Sequence, residues 1–276
     1  MRPTLKYPST PLRRMFDFRH AAAIIAALAF AGTAKGQVFI HIDFEHDNPG
    51  PYTRTEAQRD FDPPWMDGID EGLADIVSSS CGLALRVSYP AHAVGKGIII
   101  PVRLPRRDSY YLAYRIYLPA EFDFVKEGKL SGLCGGACNS GGNRDDDDWS
   151  SRIIWRTGGR LAQYIYLPDQ AGKYGDIDYW NGTLTTGQWH VLQTYVRVNH
   201  PDKSDGVLKS WLDGRLVYNN EKVRLRTSDA FAVDLFKFET FFGGSSADFS
   251  PATQQFALFN DITVSEVPIA LQACNS

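Results

Sequence analysis

Residues 128–166 read GKLSGLCGGACNSGGNRDDDDWSSRIIWRTGGRLAQYIY, and the pairing of two segments at the end of this stretch decides the fold. Trp149 to Arg156 and Leu161 to Leu167 are rich in β-branched and aromatic residues, and Thr157-Gly158-Gly159 between them is a hairpin signal. Side chains alternate between the faces of a strand with a period of two. Ser150 and Arg152 therefore share one face of the first strand, and Tyr164 and Tyr166 share one face of the second. The turn decides whether those faces coincide. A three-residue loop with a glycine in the left-handed conformation sets Arg156 opposite Arg160, Arg152 opposite Tyr164 and Ser150 opposite Tyr166. A two-residue loop slips the register by one and sends the two pairs to opposite faces. Both registers are open from the sequence, and only the odd loop gathers the polar side chains into one place.

Outward from this hairpin the chain continues to read as strands. Gln37 to Glu45 alternates well enough to be the first. LALRVSYP, GIIIPVRL and SYYLAYRIYL follow between Cys81 and Leu118, the last with tyrosines and arginine alternating with aliphatics, as a strand with one buried and one wet face does. Asn48 to Gly72, rich in Pro, Asp and Gly, reads as a long surface excursion that walls one end of a cleft; Trp65 within it reads as loop packing. Phe122 to Gly128 leads into a glycine-rich loop carrying Lys129. Beyond the hairpin, Tyr174 to Trp180 reads as a strand and Asn181-Gly182-Thr183 as a turn with a glycosylation sequon. Gly187-Gln188-Trp189-His190 opens the strand VLQTYVRVN, and Asp213-Gly214 marks a tight hairpin within Leu208 to Tyr218. Phe236 to Gly244 and Phe256 to Val264 supply the late strands. No convincing amphipathic helix stands among them, which predicts an all-β fold: a concanavalin-like β-jelly roll, a sandwich of two antiparallel sheets.

The totals bound the function classes. A formal charge of -3 over 276 residues advertises no basic face for nucleic acid. Residues 1–36 read as an export signal: Arg2, Lys6, Arg13, Arg14 and Arg19 precede the apolar run Ala21 to Phe30, which is too short to span a bilayer, and Ala34-Lys35-Gly36 offers cleavage before Gln37. Residues 37–276 then form a single domain with no membrane partner, expected to be a secreted monomer, or periplasmic in a bacterium. Four cysteines in an exported chain predict disulfides with three possible connectivities. Cys134 and Cys138 lie close enough to close a small loop, which leaves Cys81 to tie down Cys274. No histidine has zinc-ligand spacing to them, and no metal or other cofactor is expected. His41, His46, His92, His190 and His200 have no motif around them, and the run Asp145 to Asp148 reads as a solvated loop without the spaced ligands of a calcium site.

The run GKLSGLCGG, the glycine-rich loop with SGG, then WSSRIIWR and YIY together resemble polysaccharide lyase family 14, the alginate and glucuronate-polymer lyases with a β-jelly-roll fold. The resemblance implies a functional set of Lys129, Ser150, Arg152, Tyr164 and Tyr166, and an acidic polysaccharide as partner. Such a polymer is cut by β-elimination, in which a base removes the C5 proton beside the carboxylate and an acid protonates the departing O4. Charge developing on the carboxylate must be neutralised. Arg152 suits this because a guanidinium holds a carboxylate through two parallel hydrogen bonds and keeps its charge. Lys129 would share that task, Tyr164 or Tyr166 would act as base, acid or both in turn, and Ser150 would orient the substrate.

Two other classes fit the same pattern. A jelly-roll glycoside hydrolase needs two carboxylates across the cleft, for which Asp176, Asp178 and Glu239 are the candidates. A non-catalytic carbohydrate-binding protein needs only the fold.

Overall fold

The structure is a computed structural model in which residues 36–143 and 148–274 are described. The expected export segment, apart from Gly36, and Asp145 to Asp147 of the acidic run lie outside the described residues. The strands are β1 (Val38–Ile42), β2 (Gly50–Pro51), β3 (Ala74–Ser79), β4 (Gly82–Tyr89), β5 (Gly97–Arg107), β6 (Ser109–Tyr117), β7 (Glu127–Gly135) and β8 (Trp149–Arg156). They continue with β9 (Arg160–Tyr166), β10 (Asp176–Thr183), β11 (Trp189–Arg197), β12 (Gly206–Leu212), β13 (Arg215–Val223), β14 (Val233–Phe242) and β15 (Gln255–Ser265). They make two antiparallel sheets, the sandwich of a β-jelly roll. The larger runs β13-β12-β11-β6-β15-β4-β3-β2 with β1 beside β15, and the smaller runs β10-β9-β8-β7-β14-β5.

The core lies between the sheets, and the period-two rule fills it. Ile153, Trp155, Leu161 and Ile165 from β8 and β9 meet Tyr110, Leu112, Tyr114 and Ile116 from β6. The alternate positions Ile154, Ala162, Tyr164 and Tyr166 form a separate cluster with Ile177 on the outer face of the smaller sheet. This face carries the polar residues of the hairpin. Its register follows the three-residue alternative: Thr157–Gly159 joins the strands, Arg152 pairs with Tyr164, and Ser150 pairs with Tyr166. Gly158 and Gly159 both adopt left-handed φ, 69° and 79°, which side chains other than glycine rarely tolerate.

Three sequence expectations are corrected. Lys129 stands on a strand, not in a loop, because the glycines of GKLSGLCGG serve close packing. A Cβ on Gly128 would lie 1.8 Å from the Trp155 ring, so only glycine lets this ring cross under β7. The excursion 48–72 holds an α-helix, α1 (Arg54–Phe61), opened by a capping box in which Thr53 and Glu56 bond each other's backbone N–H. That signature, Thr-x-x-Glu, is present in the sequence, and Ala57 and Phe61 bury the helix against the core. The sequon Asn181-Gly182-Thr183 ends β10 and does not turn. The remaining boundaries agree within a few residues, and Asp213 and Gly214 make the expected tight hairpin with left-handed φ of 52° and 77°. Both disulfides form as expected, Cys81–Cys274 and Cys134–Cys138. Among the described residues no helix is long and apolar enough to cross a membrane.

Candidate active site

A cavity of about 460 Å³ opens on the outer face of the smaller sheet. All six strands of the smaller sheet line it: Ile99 comes from β5, Lys129 from β7, Arg152 from β8, Tyr164 from β9, Ile177 from β10, and Lys237 and Glu239 from β14. Lys129 pairs with Ile154, which alternation puts on the face of Arg152, so the lysine and the arginine approach Tyr164 from the same side. The Lys129 Nζ stands 3.9 Å from the centre of the Tyr164 ring. The Arg152 guanidinium carbon is 5.1 Å from that centre and 5.6 Å from the centre of Tyr166. The two phenolic oxygens are 3.3 Å apart.

Each cation has a buried anion behind it. Arg152 Nη1 donates to Glu239 Oε1 at 2.7 Å, and Lys237 Nζ is 3.2 Å from the other Glu239 oxygen. Glu127 pairs with both Lys129 and Arg156. The Nε and Nη2 of Arg152 find no hydrogen-bond partner among the described residues. Those two nitrogens form the side edge of the guanidinium, the edge that holds a carboxylate through two parallel bonds. Buried donors left without partners are costly, and such exceptions concentrate where a group has a functional role.

Burial tunes the titrating groups in opposite directions. It pushes the Lys129 ammonium below its ordinary value; Glu127 opposes that shift, and the charge of Arg152 adds to it. Burial holds the Tyr164 phenol above its ordinary value, the contact with Tyr166 adds to this, and Arg152 opposes it. An amine that gives up its proton more readily thus sits against a phenol that keeps its own. This divergence is how neighbouring groups divide into base and acid. Burial alone would raise the Glu239 carboxyl, but Arg152 and Lys237 outweigh it and hold the group below its ordinary value. A carboxyl kept ionised is unsuited to the general-acid role in a glycoside hydrolase.

Of the residues singled out in the sequence, Lys129, Arg152, Tyr164 and Glu239 line the cavity. Ser150 and Tyr166 share their face but stand behind it. Ser150 is fully buried and its Oγ donates to the Asn139 carbonyl at 2.7 Å; the Tyr166 hydroxyl accepts from the Gly142 N–H at 3.0 Å. Both hold the loop 136–143, whose Ser140 and Gly141 line the cavity. Asp178 instead accepts from the Tyr218 hydroxyl, and neither it nor Asp176 reaches the cavity. The exposed Trp65 does not line it either. Sequence reasoning missed Glu127 and Lys237. The alternation Phe-Lys-Phe-Glu on β14 signals that Lys237 and Glu239 share a face, but nothing local says which strands lie beside them.

The fold is a β-jelly roll with a cation-lined cavity on the outer face of its smaller sheet. Residues 82–262 match the family described as Polysaccharide lyase 14, and the chain belongs to that family and is a polysaccharide lyase. No curated protein matches the chain. Among solved structures, alginate lyase Aly36B superposes with a TM-score of 0.74 at 23% identity, over 84% of this chain and 98% of that one. The marine PL-14 alginate lyase from Aplysia kurodai gives 0.68 at 23% identity over 79% and 97%. The endo-β-1,4-glucuronan lyase from the fungus Trichoderma reesei gives 0.53 at 16% identity over 84% and 96%. At these identities the likeness is one of fold.

Proposed function

We propose that this lyase is exported and cleaves a 1,4-linked polyuronate of the alginate or glucuronan type by β-elimination, without metal or other cofactor. The observation that carries the reading is the meeting of Lys129 and Arg152 at Tyr164, with the side edge of Arg152 unpartnered. Arg152 takes the uronate carboxylate on Nε and Nη2 and stabilises the charge that develops as C5 loses its proton. Lys129, whose hold on its proton burial weakens, accepts the C5 proton in its unprotonated form, and Glu127 holds the resulting ammonium. Tyr164 then gives its proton to O4 as the C4–O4 bond breaks. The electrons of the C5–H bond become the C4–C5 double bond, and the tyrosinate recovers its proton from the Lys129 ammonium beside it. The sequence expectation assigns Lys129 a share of the charge neutralisation and the base role to Tyr164 or Tyr166; in this proposal Lys129 is the base, Tyr164 the acid, and Arg152 keeps the carboxylate. Ser150 and Tyr166 orient the substrate through the loop 136–143, which they anchor.

The alginate and glucuronan lyases that share the fold support an acidic substrate. Single-residue kinetics on polymannuronate, polyguluronate and glucuronan test the assignment of roles. Tyr164→Phe, which keeps the ring and removes only the hydroxyl, is expected to lower kcat by about 10²-fold or more, with Lys129→Ala and Arg152→Ala similar. Tyr166→Phe is expected to cost less, because its hydroxyl anchors a loop and stands outside the cavity. Equal activity of Tyr164→Phe and wild type would remove Tyr164 from the mechanism.

A further inference from the structure

The outer face of the smaller sheet continues past the cavity toward the β8–β9 turn, and it changes character there. Arg160, Ala162, Tyr164 and Tyr166 occupy alternate positions of β9 and share this face; on β10, Ile177 pairs with Tyr164 and Tyr179 pairs with Ala162. Ile177 lines the cavity, so Tyr179 is the next outward side chain beyond its rim. Tyr179 is 44% exposed. The exposed Arg160 lays its guanidinium 3.7 Å from the centre of the Tyr179 ring and has no carboxylate partner among the described residues. Arg156 stands on the same face of β8, but its charge is paired with cavity-lining Glu127, which leaves Arg160 as the cation without a carboxylate here among the described residues. An arginine stacked on an aromatic face is held in one orientation with its donors free at the edge, which is a preorganised receptor for a carboxylate.

We propose that Arg160 and Tyr179 form a remote subsite that grips a uronate unit of the polymer more than one sugar from the scissile bond. Arg160 takes its carboxylate, and Tyr179 packs against its ring. Arg160 starts four residues along β9 from Tyr164, about 13 Å at roughly 3.3 Å per residue, and its guanidinium rests on Tyr179, whose strand position faces Ala162, so the pair meets the polymer beyond the sugar held at Tyr164. At the other end of the same line, the half-exposed Tyr174 lines the cavity beside the Gly142 that bonds Tyr166. The cavity itself crosses the strands, from Ile99 on β5 to Ile177 on β10, so a chain lying in it passes over Tyr164, reaches Tyr179 at the β10 edge and is cut in its interior. The proposal rests on the polyuronate reading and adds the direction of the chain and an endo mode of action.

Steady-state kinetics of wild type, Arg160→Ala, Arg160→Lys and Tyr179→Ala test it, using polyuronate and a ladder of its oligomers and following the ultraviolet absorbance of the unsaturated product. These exposed side chains take no part in the chemistry. For the polymer and the longer oligomers, KM is expected to rise about tenfold in Arg160→Ala and Tyr179→Ala while kcat stays within about twofold. On the shortest oligomer that wild type cleaves, the variants and wild type are expected to match, and Arg160→Lys should recover part of the loss. A KM unchanged at every length, or a loss equal at every length, would overturn the subsite while leaving the lyase reading intact. Wild type that forms no chromophore on any polyuronate would overturn both.

Discussion

In the proposed mechanism Lys129 and Tyr164 divide the proton transfers, because burial acts oppositely on an amine and a phenol. The sign of the pH dependence follows. Lys129 works neutral and its proton affinity is lowered, so kcat/KM is expected to rise with pH through a value below that of a free lysine. Tyr164 works protonated and its proton affinity is raised, so no loss is expected until pH passes that of a free tyrosine. A pH–rate profile on one polyuronate checks this, and a profile that falls from neutral toward alkaline pH would reverse the roles. Stereochemistry gives a second check. Base and acid stand on one side of the cavity, which suits substrates whose C5 proton and O4 lie on the same ring face. Mannuronate and glucuronate meet that condition and guluronate does not, so polymannuronate or glucuronan should be cleaved faster than polyguluronate. Glu239 is the residue whose loss should be felt most in stability. Glu239→Gln leaves Arg152 and Lys237 buried without their shared anion, a change that costs about 3–5 kcal/mol in comparable pairs. Because its folded carboxyl sits below the ordinary value, the stability it contributes is present above that value and lost as pH falls through the depressed one. Urea unfolding across the acid range should show that loss in wild type and a flatter response in the variant.

At the scale of elements, the hairpin β8–β9 carries the argument and was legible in the sequence because its information is local. A period of two fixes which side chains share a face, and the turn fixes the register. Deleting Gly158 would shorten the loop to two residues and turn Tyr164 away from Arg152 if the strands kept pairing. Activity is then expected to vanish while circular dichroism retains its β-sheet signature; retained activity would mean that the chain restores its register elsewhere. Gly158→Ala is a milder probe, expected to cost about 1–2 kcal/mol through its left-handed φ with the register kept. The elements that were misread lack such local rules. Lys129 sits among glycines that look like loop residues, and only the ring of Trp155 beneath Gly128 explains them. The pairing of β14 with β7 and β5 brings Lys237 and Glu239 to the site across long sequence separations that no spacing records. The shielding of Ser150 and Tyr166 by the loop 136–143 is equally non-local.

Across the whole molecule, the two sheets divide the work. The smaller sheet presents the cavity, while the larger carries the C-terminal tail, which Cys274 fastens to Cys81 across 193 residues of sequence. A cross-link closing so long a loop restricts the unfolded chain strongly, and removing such a bond costs about 2–5 kcal/mol. Cys274→Ser should therefore lower the unfolding free energy by that order and leave kcat within about twofold, since Cys81 and Cys274 pack with Trp189 and Leu258 away from the cavity. Coupled losses of stability and turnover at a temperature where the variant is fully folded would contradict this separation. The central claim, elimination on a polyuronate, is tested most directly by one time course on polymannuronate and glucuronan that records reducing ends and ultraviolet absorbance together. Elimination conjugates a new C4–C5 double bond with the carboxylate, so the two signals should rise in step, one chromophore for each new reducing end. Reducing ends that appear without the chromophore would mean hydrolysis and would contradict the account.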